Sequence, residues 1–209
     1  MAPEPERKRA IAFIDGQNLF HAAKVAFGRT YPDYDVVKLV QSVCAAQGWD
    51  VHQVRFYTGV PDASDNERWH TFWSKKLAAM GRAGVYVYSR PLRYRNRLYE
   101  LPDGTNKTIL VGQEKGIDVR IALDVIRLAH RGEYDVAVVF SQDQDLSEAA
   151  DEVRQVAIEQ RRWIKIASAF PDSPTMSNHR GVNHTDWLKI DRELYESCID
   201  QVDHRTPSA

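Results

Sequence analysis

Two short, wholly apolar stretches of this chain run straight into acid. Ile11-Ala12-Phe13-Ile14 leads into Asp15-Gly16-Gln17-Asn18, and Val136-Ala137-Val138-Val139-Phe140 leads into Ser141-Gln142-Asp143-Gln144-Asp145. Apolar residues in a row, without polar alternation, describe a strand covered on both faces, the habit of parallel sheets. Helical patterns separate these stretches. The alternation predicts an α/β fold: three Rossmann-like layers, with a mostly parallel central sheet and helices on both faces. Ligands of such sheets bind beyond the carboxyl ends of the strands. The acids after Ile14 and Phe140 therefore stand where chemistry is expected.

The remaining punctuation fills in the order. A helix is expected through Leu19 to Val25, and Asp35 reads as the N-cap of the next, with Gly48 as its stop. Val51 to Thr58 reads as a strand. Ser64 with Glu67 has capping-box spacing for a helix to about Gly81, and Val85 to Tyr88 follows as a strand. Leu92–Leu98 and Thr108–Val111 pair as an inserted hairpin around Asp103-Gly104. Helices are expected over about Gly116–His130 and Leu146–Gln160, a strand over Trp163–Ser168, and a last short helix over Asp191–Ile199. Residues 1–9 and 204–209 read as tails around a single domain, 10–203.

Composition excludes several classes. The 209 residues are 43% hydrophobic and 27% charged, so the chain is neither disordered nor fibrous. A domain of this size buries roughly 70% of its unfolded surface and needs no disulfide or structural metal. Cys44 and Cys198 lie far apart and form no CxxC pair, which fits a reducing compartment. No apolar signal-peptide core and no membrane-length run occurs. A cytoplasmic location is expected, with no membrane partner. Net charge is −1, from 28 Lys+Arg and 29 Asp+Glu, which argues against a binder that coats nucleic acid by bulk charge.

Any one acid at a strand end has an ordinary reading as a helix N-cap. Three acids at two strand ends are harder to place that way, because gathered like charges repel unless a cation sits among them. The helix near 116–130 adds a further acid. At about 100° per residue, Arg120, Asp124, Arg127 and Arg131 share one face, expected to be a solvated, charge-paired stripe. Asp118 falls with Ala122, Val125 and Ala129 on a largely apolar face. A carboxylate aimed at the sheet needs a partner. Clusters made only of carboxylates suit hard cations, Mg²⁺ or Mn²⁺, rather than zinc.

Four arginines fall within Arg90-Pro91-Leu92-Arg93-Tyr94-Arg95-Asn96-Arg97. Strand alternation puts Arg93, Arg95 and Arg97 on one face. That face either tracks a phosphate backbone, with Tyr94 near enough to stack on a base, or keeps an edge hairpin soluble. Lys107 and Lys115 extend the basic surface. Trp69 and Trp73, one helical turn apart with Phe72 between, read as core packing before base stacking.

Ile14-Asp15-Gly16-Gln17-Asn18, Lys115-Gly116-Ile117-Asp118 and Ser141-Gln142-Asp143-Gln144-Asp145-Leu146 resemble the three signatures of NYN-domain proteins. These are the LabA-like branch of the PIN-like nucleases. The likeness runs from about Ile11 to Ile190, and Gly181-Val182-Asn183-His184-Thr185-Asp186-Trp187-Leu188 is similar to bacterial members. The resemblance implies a metal-dependent ribonuclease holding one or two Mg²⁺ or Mn²⁺ ions. Asp15, Asp118, Asp143 and Asp145 become the metal-binding acids, Asn18 a polar site residue, and Ser141 a contact to metal-bound water or phosphate. Arg93, Arg95, Arg97 and Lys115 are then the substrate-binding set. The family's third motif usually has Gly where this chain has Gln142, which is expected to reshape the loop or restrict the substrate.

The leading expectation is thus an endoribonuclease acting on single-stranded or structured RNA, with a homodimer left open. Two alternatives stand beside it. Asp143-Gln144-Asp145 also resembles the DxD motif of nucleotide-sugar-dependent glycosyltransferases, although that chemistry does not require Asp15 and Asp118. A catalytically silent RNA-binding or partner-binding module of the same fold is the other.

Overall fold

The computed structural model describes residues 2–100, 102 and 104–205. In chain order the first half runs β1 (Arg9–Asp15), α1 (Gly16–Phe27), α2 (Val36–Ala46), β2 (Asp50–Val60), α3 (Ala63–Arg82), β3 (Tyr86–Pro91), β4 (Arg93–Glu100) and β5 (Asn106–Gln113). The second half runs α4 (Ile117–His130), β6 (Val136–Phe140), a 3₁₀ turn (Gln144–Leu146), α5 (Ser147–Glu159), β7 (Lys165–Pro171), β8 (Asp186–Ile190) and α6 (Arg192–Ser197). Six strands form one sheet in the order β3-β2-β1-β6-β7-β8, and every neighbouring pair is parallel. β4 and β5 form a separate antiparallel hairpin inserted between β3 and α4. The α/β architecture expected from the sequence is the one observed.

Strand alternation builds the layers. Ala10, Ala12 and Ile14 of β1 face a core shared with Leu19 of α1, Val40 of α2 and Phe72 of α3. Ile11 and Phe13 face the opposite core, with Ile121 and Val125 of α4 and Val153 of α5. Both faces of β1 are closed, which is why its sequence shows no polar alternation. Cys44 and Cys198 are free and buried. No helix among the described residues is long and apolar enough to cross a membrane.

Several local expectations change. The helix expected to start with a Ser64/Glu67 box is capped by Asp62 instead, whose carboxylate accepts from Ser64 N at 2.8 Å. α3 then breaks at Asn66 (φ −149°, ψ 82°) and restarts as the Asn66 side chain accepts from Trp69 N at 3.1 Å. The strand expected over Trp163–Ser168 lies at Lys165–Pro171, and β8 had no counterpart in the sequence reading. Its residues, Asp-Trp-Leu-Lys-Ile, are exposed or half-exposed but for Ile190, so they carry an edge-strand pattern too short to stand out. At the hairpin tip Asp103 lies outside the described residues, while Gly104 takes φ +80°.

Asp124 is the largest correction. It was expected on a solvated stripe, and the pairing with Arg120 and Arg127 is present, but the carboxylate is only 1% exposed. The cause lies in β2. Arg55 and Tyr57 reach across and both donate to Asp124, at 3.0 and 2.9 Å, so the charged stripe is roofed by the sheet.

Candidate active site

The sheet order reverses between β1 and β6. The chain moves outward from β1 through β2 to β3, then returns to lay β6 against the other side of β1. A crevice opens at such a switch point beyond the strand ends. Ile14 and Phe140 are register partners there, so the segments that follow them, Asp15 and Ser141-Gln142-Asp143, emerge side by side. The two acid-bearing strand ends of the sequence are the two strands that flank the switch point.

Both acids also cap helices. Asp15 accepts from Asn18 N at 2.9 Å and starts α1. Asp143 accepts from Asp145 N at 3.1 Å and starts the 3₁₀ turn. The capping role is therefore real for both. Asp15 is 5% exposed, and burial pushes its pKa up to about 6, with the charges of Asp143 and Asp118 pushing the same way against the Asn18 hydrogen bond. Asp118 and Asp143 thus lie near enough to Asp15 for their charges to act on it. Asp145 lies on the exposed side of its turn.

A further acid belongs here that the sequence reading passed over. Glu114 follows β5 and accepts a hydrogen bond from Gly59 N at the end of β2. Burial pushes its pKa up to about 8, helped by the charges of Asp15 and Asp118. Its signal was the same as that of Asp15, an acid just past a strand. It was hidden because β5 belongs to an exposed hairpin, whose short apolar run Ile109-Leu110-Val111 stops three residues before the acid. Two glycines allow this crowding. A Cβ on Gly59 would strike the Leu92 side chain and the Glu114 carboxylate, and one on Gly16 would strike the Phe56 ring.

Asn18 and Ser141 both make hydrogen bonds to the loop after β6. Asn18 Oδ1 accepts from Gln142 N at 2.9 Å, tying α1 to the loop after β6. Ser141 is 1% exposed, and its hydroxyl accepts from Asp143 N at 3.1 Å. Both hold the Asp143 loop in place. Gln142 is not among the described residues with positive φ, so no glycine is needed at this position. Its side chain donates to Arg180 O at 2.8 Å, and Gln144 donates to Gly181 O at 3.0 Å. Asn183 N donates back to Gln144 at 3.1 Å. Two glutamines thus strap the acid loop to the segment at 180–183, a role that needed the tertiary structure to see.

Arg93, Arg95 and Arg97 share one exposed face of β4, as alternation required. Lys115 is exposed beside Glu114. Tyr94 is half-buried, and its hydroxyl accepts from Asp62 N at 2.8 Å, which pins the hairpin to the start of α3. Trp73 is in the core as expected, while Trp69 is only partly buried. Arg90, left out of the expected binding set, lies against Gly116 at the start of α4. Among the described residues no group of three or more His, Cys, Asp or Glu side chains is arranged to hold a metal ion as it stands.

Residues 9–174 match the family described as NYN domain. The chain belongs to the NYN domain family. NYN domains are typically nucleases of the PIN-like superfamily, which is consistent with a ribonuclease, and such nucleases usually use divalent metals. The fold of this NYN chain is also similar to the crystal structure of a protein of unknown function from Vibrio parahaemolyticus. That likeness has a TM-score of 0.55 at 19% identity and covers 91% of this chain and 98% of the other. Ribokinase from Giardia lamblia gives a TM-score of 0.36 at 10% identity over 82% of this chain and 50% of that one, too little to carry an argument. No curated protein matches the chain.

Proposed function

We propose that this NYN domain is a Mg²⁺- or Mn²⁺-dependent endoribonuclease. The observation that supports the reading is Asp15 at the switch point, its pKa raised first by burial and then by the charges of Asp143 and Asp118. Acids gathered this way are held against their own repulsion, which a hard cation relieves. The donor set fits such an ion in kind. Mg²⁺ is commonly bound through one or two carboxylates, with waters and substrate phosphates completing its shell, so a closed protein cage is not required. Asp15, Asp118 and Asp143 would hold it, and Glu114 and Asp145 would stand beside them. Bound there, the ion would supply an activated water and charge stabilisation for phosphodiester hydrolysis.

The chain's own residues do the rest. Asn18, Ser141, Gln142 and Gln144 hold the Asp143 loop in register with Asp15. Arg93, Arg95 and Arg97 draw the RNA backbone toward the crevice, and Lys115 and Arg90 border the acids. The family supports this reading over nucleotide-sugar transfer. The test is incubation of labelled single-stranded RNA with the purified protein in Mg²⁺, Mn²⁺ or EDTA. Internal cleavage that needs metal is expected. A folded protein that binds RNA equally well in EDTA and never cuts it would replace the proposal with the silent-module reading.

The raised pKa values set a second expectation. An acid whose folded pKa lies above its unfolded value supports stability most at low pH, and that support is lost as pH rises through the folded pKa. For Asp15 the window runs from about 4 to about 6, and Glu114 extends it toward 8. A divalent cation favours the ionised carboxylates and cancels the loss. The rise in Tm on adding Mn²⁺ should therefore be small at pH 5 and large at pH 8. Scanning calorimetry at both pH values decides it, and an equal shift at both would contradict the placement of the ion.

A further inference from the structure

A pocket of about 330 Å³ opens beside the acids, between α1, α3 and the base of the hairpin. This is within the ~300–1,000 Å³ range of small-ligand sites. Its lining divides by chemistry. Phe20 and Trp69 are only partly buried, with ring centroids 6.0 Å apart, and His21 lies exposed 5.9 Å from Phe20. Neighbouring Phe72 is packed away in the core, and Trp73, though buried, closes the pocket from beneath. Three rings thus face a solvent-open hollow on the side of the molecule that carries the acids. Gln17, two residues past Asp15, lines the same pocket, and its amide makes no side-chain hydrogen bond among the described residues.

The pocket and the acid site are continuous. Gly59 lines the pocket and also donates its N–H to Glu114. Leu92, packed against Gly59, lines it too, and the next residue, Arg93, begins the arginine face. A strand of RNA running from those arginines to the acids passes the mouth of the pocket. Aromatic rings bind bases through their π-faces with little regard to sequence. A base can enter such a hollow only if it is unpaired, since extruding a paired one costs a few kcal/mol.

Resting on the ribonuclease reading, we propose that this pocket takes one unpaired nucleobase of the substrate, flanking the cleaved phosphodiester. Phe20 and Trp69 supply the stacking surface, His21 the rim, and the Gln17 amide a hydrogen bond to the base edge. The domain is then selective for single-stranded RNA, and the selectivity resides in the pocket rather than in the metal site.

The test is an abasic scan. A single-stranded RNA cut by the wild-type protein is remade with one abasic nucleotide at each position around the cut, and a duplex of the same sequence is included. Cleavage rates are measured for wild type, Phe20→Leu and Trp69→Leu, with Tm recorded for each. One abasic position is expected to slow the wild type roughly 10-fold or more, the size of one lost base–aromatic stack. In Phe20→Leu that position should matter little, because the stack is already gone, and the preference over duplex should shrink. If Trp69→Leu unfolds, Phe20→Leu alone decides. Cleavage that is indifferent to every abasic position, or an abasic penalty unchanged in the variants, overturns the pocket and leaves the nuclease standing. A wild type that neither binds nor cuts any RNA overturns both.

Discussion

Asp15→Asn should lose RNA cleavage by at least about 10²–10³-fold, the scale of removing one electrostatic element from a catalytic site, while the protein remains folded. The two halves of that expectation have separate causes. The Asp15 side chain does two jobs, capping α1 through Oδ1 and carrying charge into the acid cluster. Asn retains an oxygen that accepts from Asn18 N, so the cap survives. It removes the charge, so the cluster loses its buried member. The stability change has a definite sign. Above pH 6 the metal-free wild type holds a buried carboxylate whose pKa has risen to about 6. A rise of about two units disfavours the folded state by on the order of 2–3 kcal/mol at 1.36 kcal/mol per unit. Asp15→Asn relieves that, so its Tm in EDTA at pH 8 should equal or exceed that of the wild type. Single-turnover cleavage and a thermal melt in EDTA measure the two halves. Full activity would remove Asp15 from the site, and an unfolded variant would reduce it to a structural cap.

Asp124→Ala should act in the opposite sense, costing about 3–5 kcal/mol of stability, the penalty for breaking a buried ion pair from one side. Asp124 Oδ2 accepts from Arg55 at 3.0 Å and Tyr57 at 2.9 Å, while Oδ1 takes Arg127 at 2.8 Å and Arg120 at 3.0 Å. Arg55 is itself buried, with its guanidinium 3.7 Å from the centre of the Tyr86 ring. Removing the carboxylate leaves that charge without its counter-ion. The network also fastens α4 to β2, and α4 carries Asp118 in its first turn. Cleavage should therefore fall as well, through displacement of Asp118 rather than loss of a reacting group. The pH profile adds a check. The partners hold the Asp124 pKa below its ordinary value, so its contribution is present above the unfolded pKa of about 4 and is lost as pH falls below it. Urea titrations at pH 7 and pH 3 should differ more for wild type than for Asp124→Ala. A loss under about 1 kcal/mol at pH 7, the value typical of exposed pairs, would return Asp124 to the surface.

What the sequence alone determined was local. The apolar runs into Asp15 and Asp143, the N-cap at Asp35, the alternating arginines of β4 and the α/β order all follow from periodicity and termini, which act within a few residues. The acids at the two strand ends could be named because a covered strand has to meet solvent somewhere, and charge marks the place. What only the tertiary structure decided depends on residues far apart in the chain. The return of β6 to the side of β1 makes one site of two strand ends 125 residues apart or more, and no spacing rule encodes that step. Glu114 joins the acids because Gly59 passes beneath it. Asp124 is buried because Arg55 and Tyr57 of β2 reach over a helix face that reads as solvated by itself. Gln142 is fixed by Arg180, 38 residues on, whose carbonyl accepts from its amide. In each case the side chain's role is set by the partner the sheet brings to it. Helical phase and strand alternation say which way a residue points, and the packing of distant strands says what it meets there.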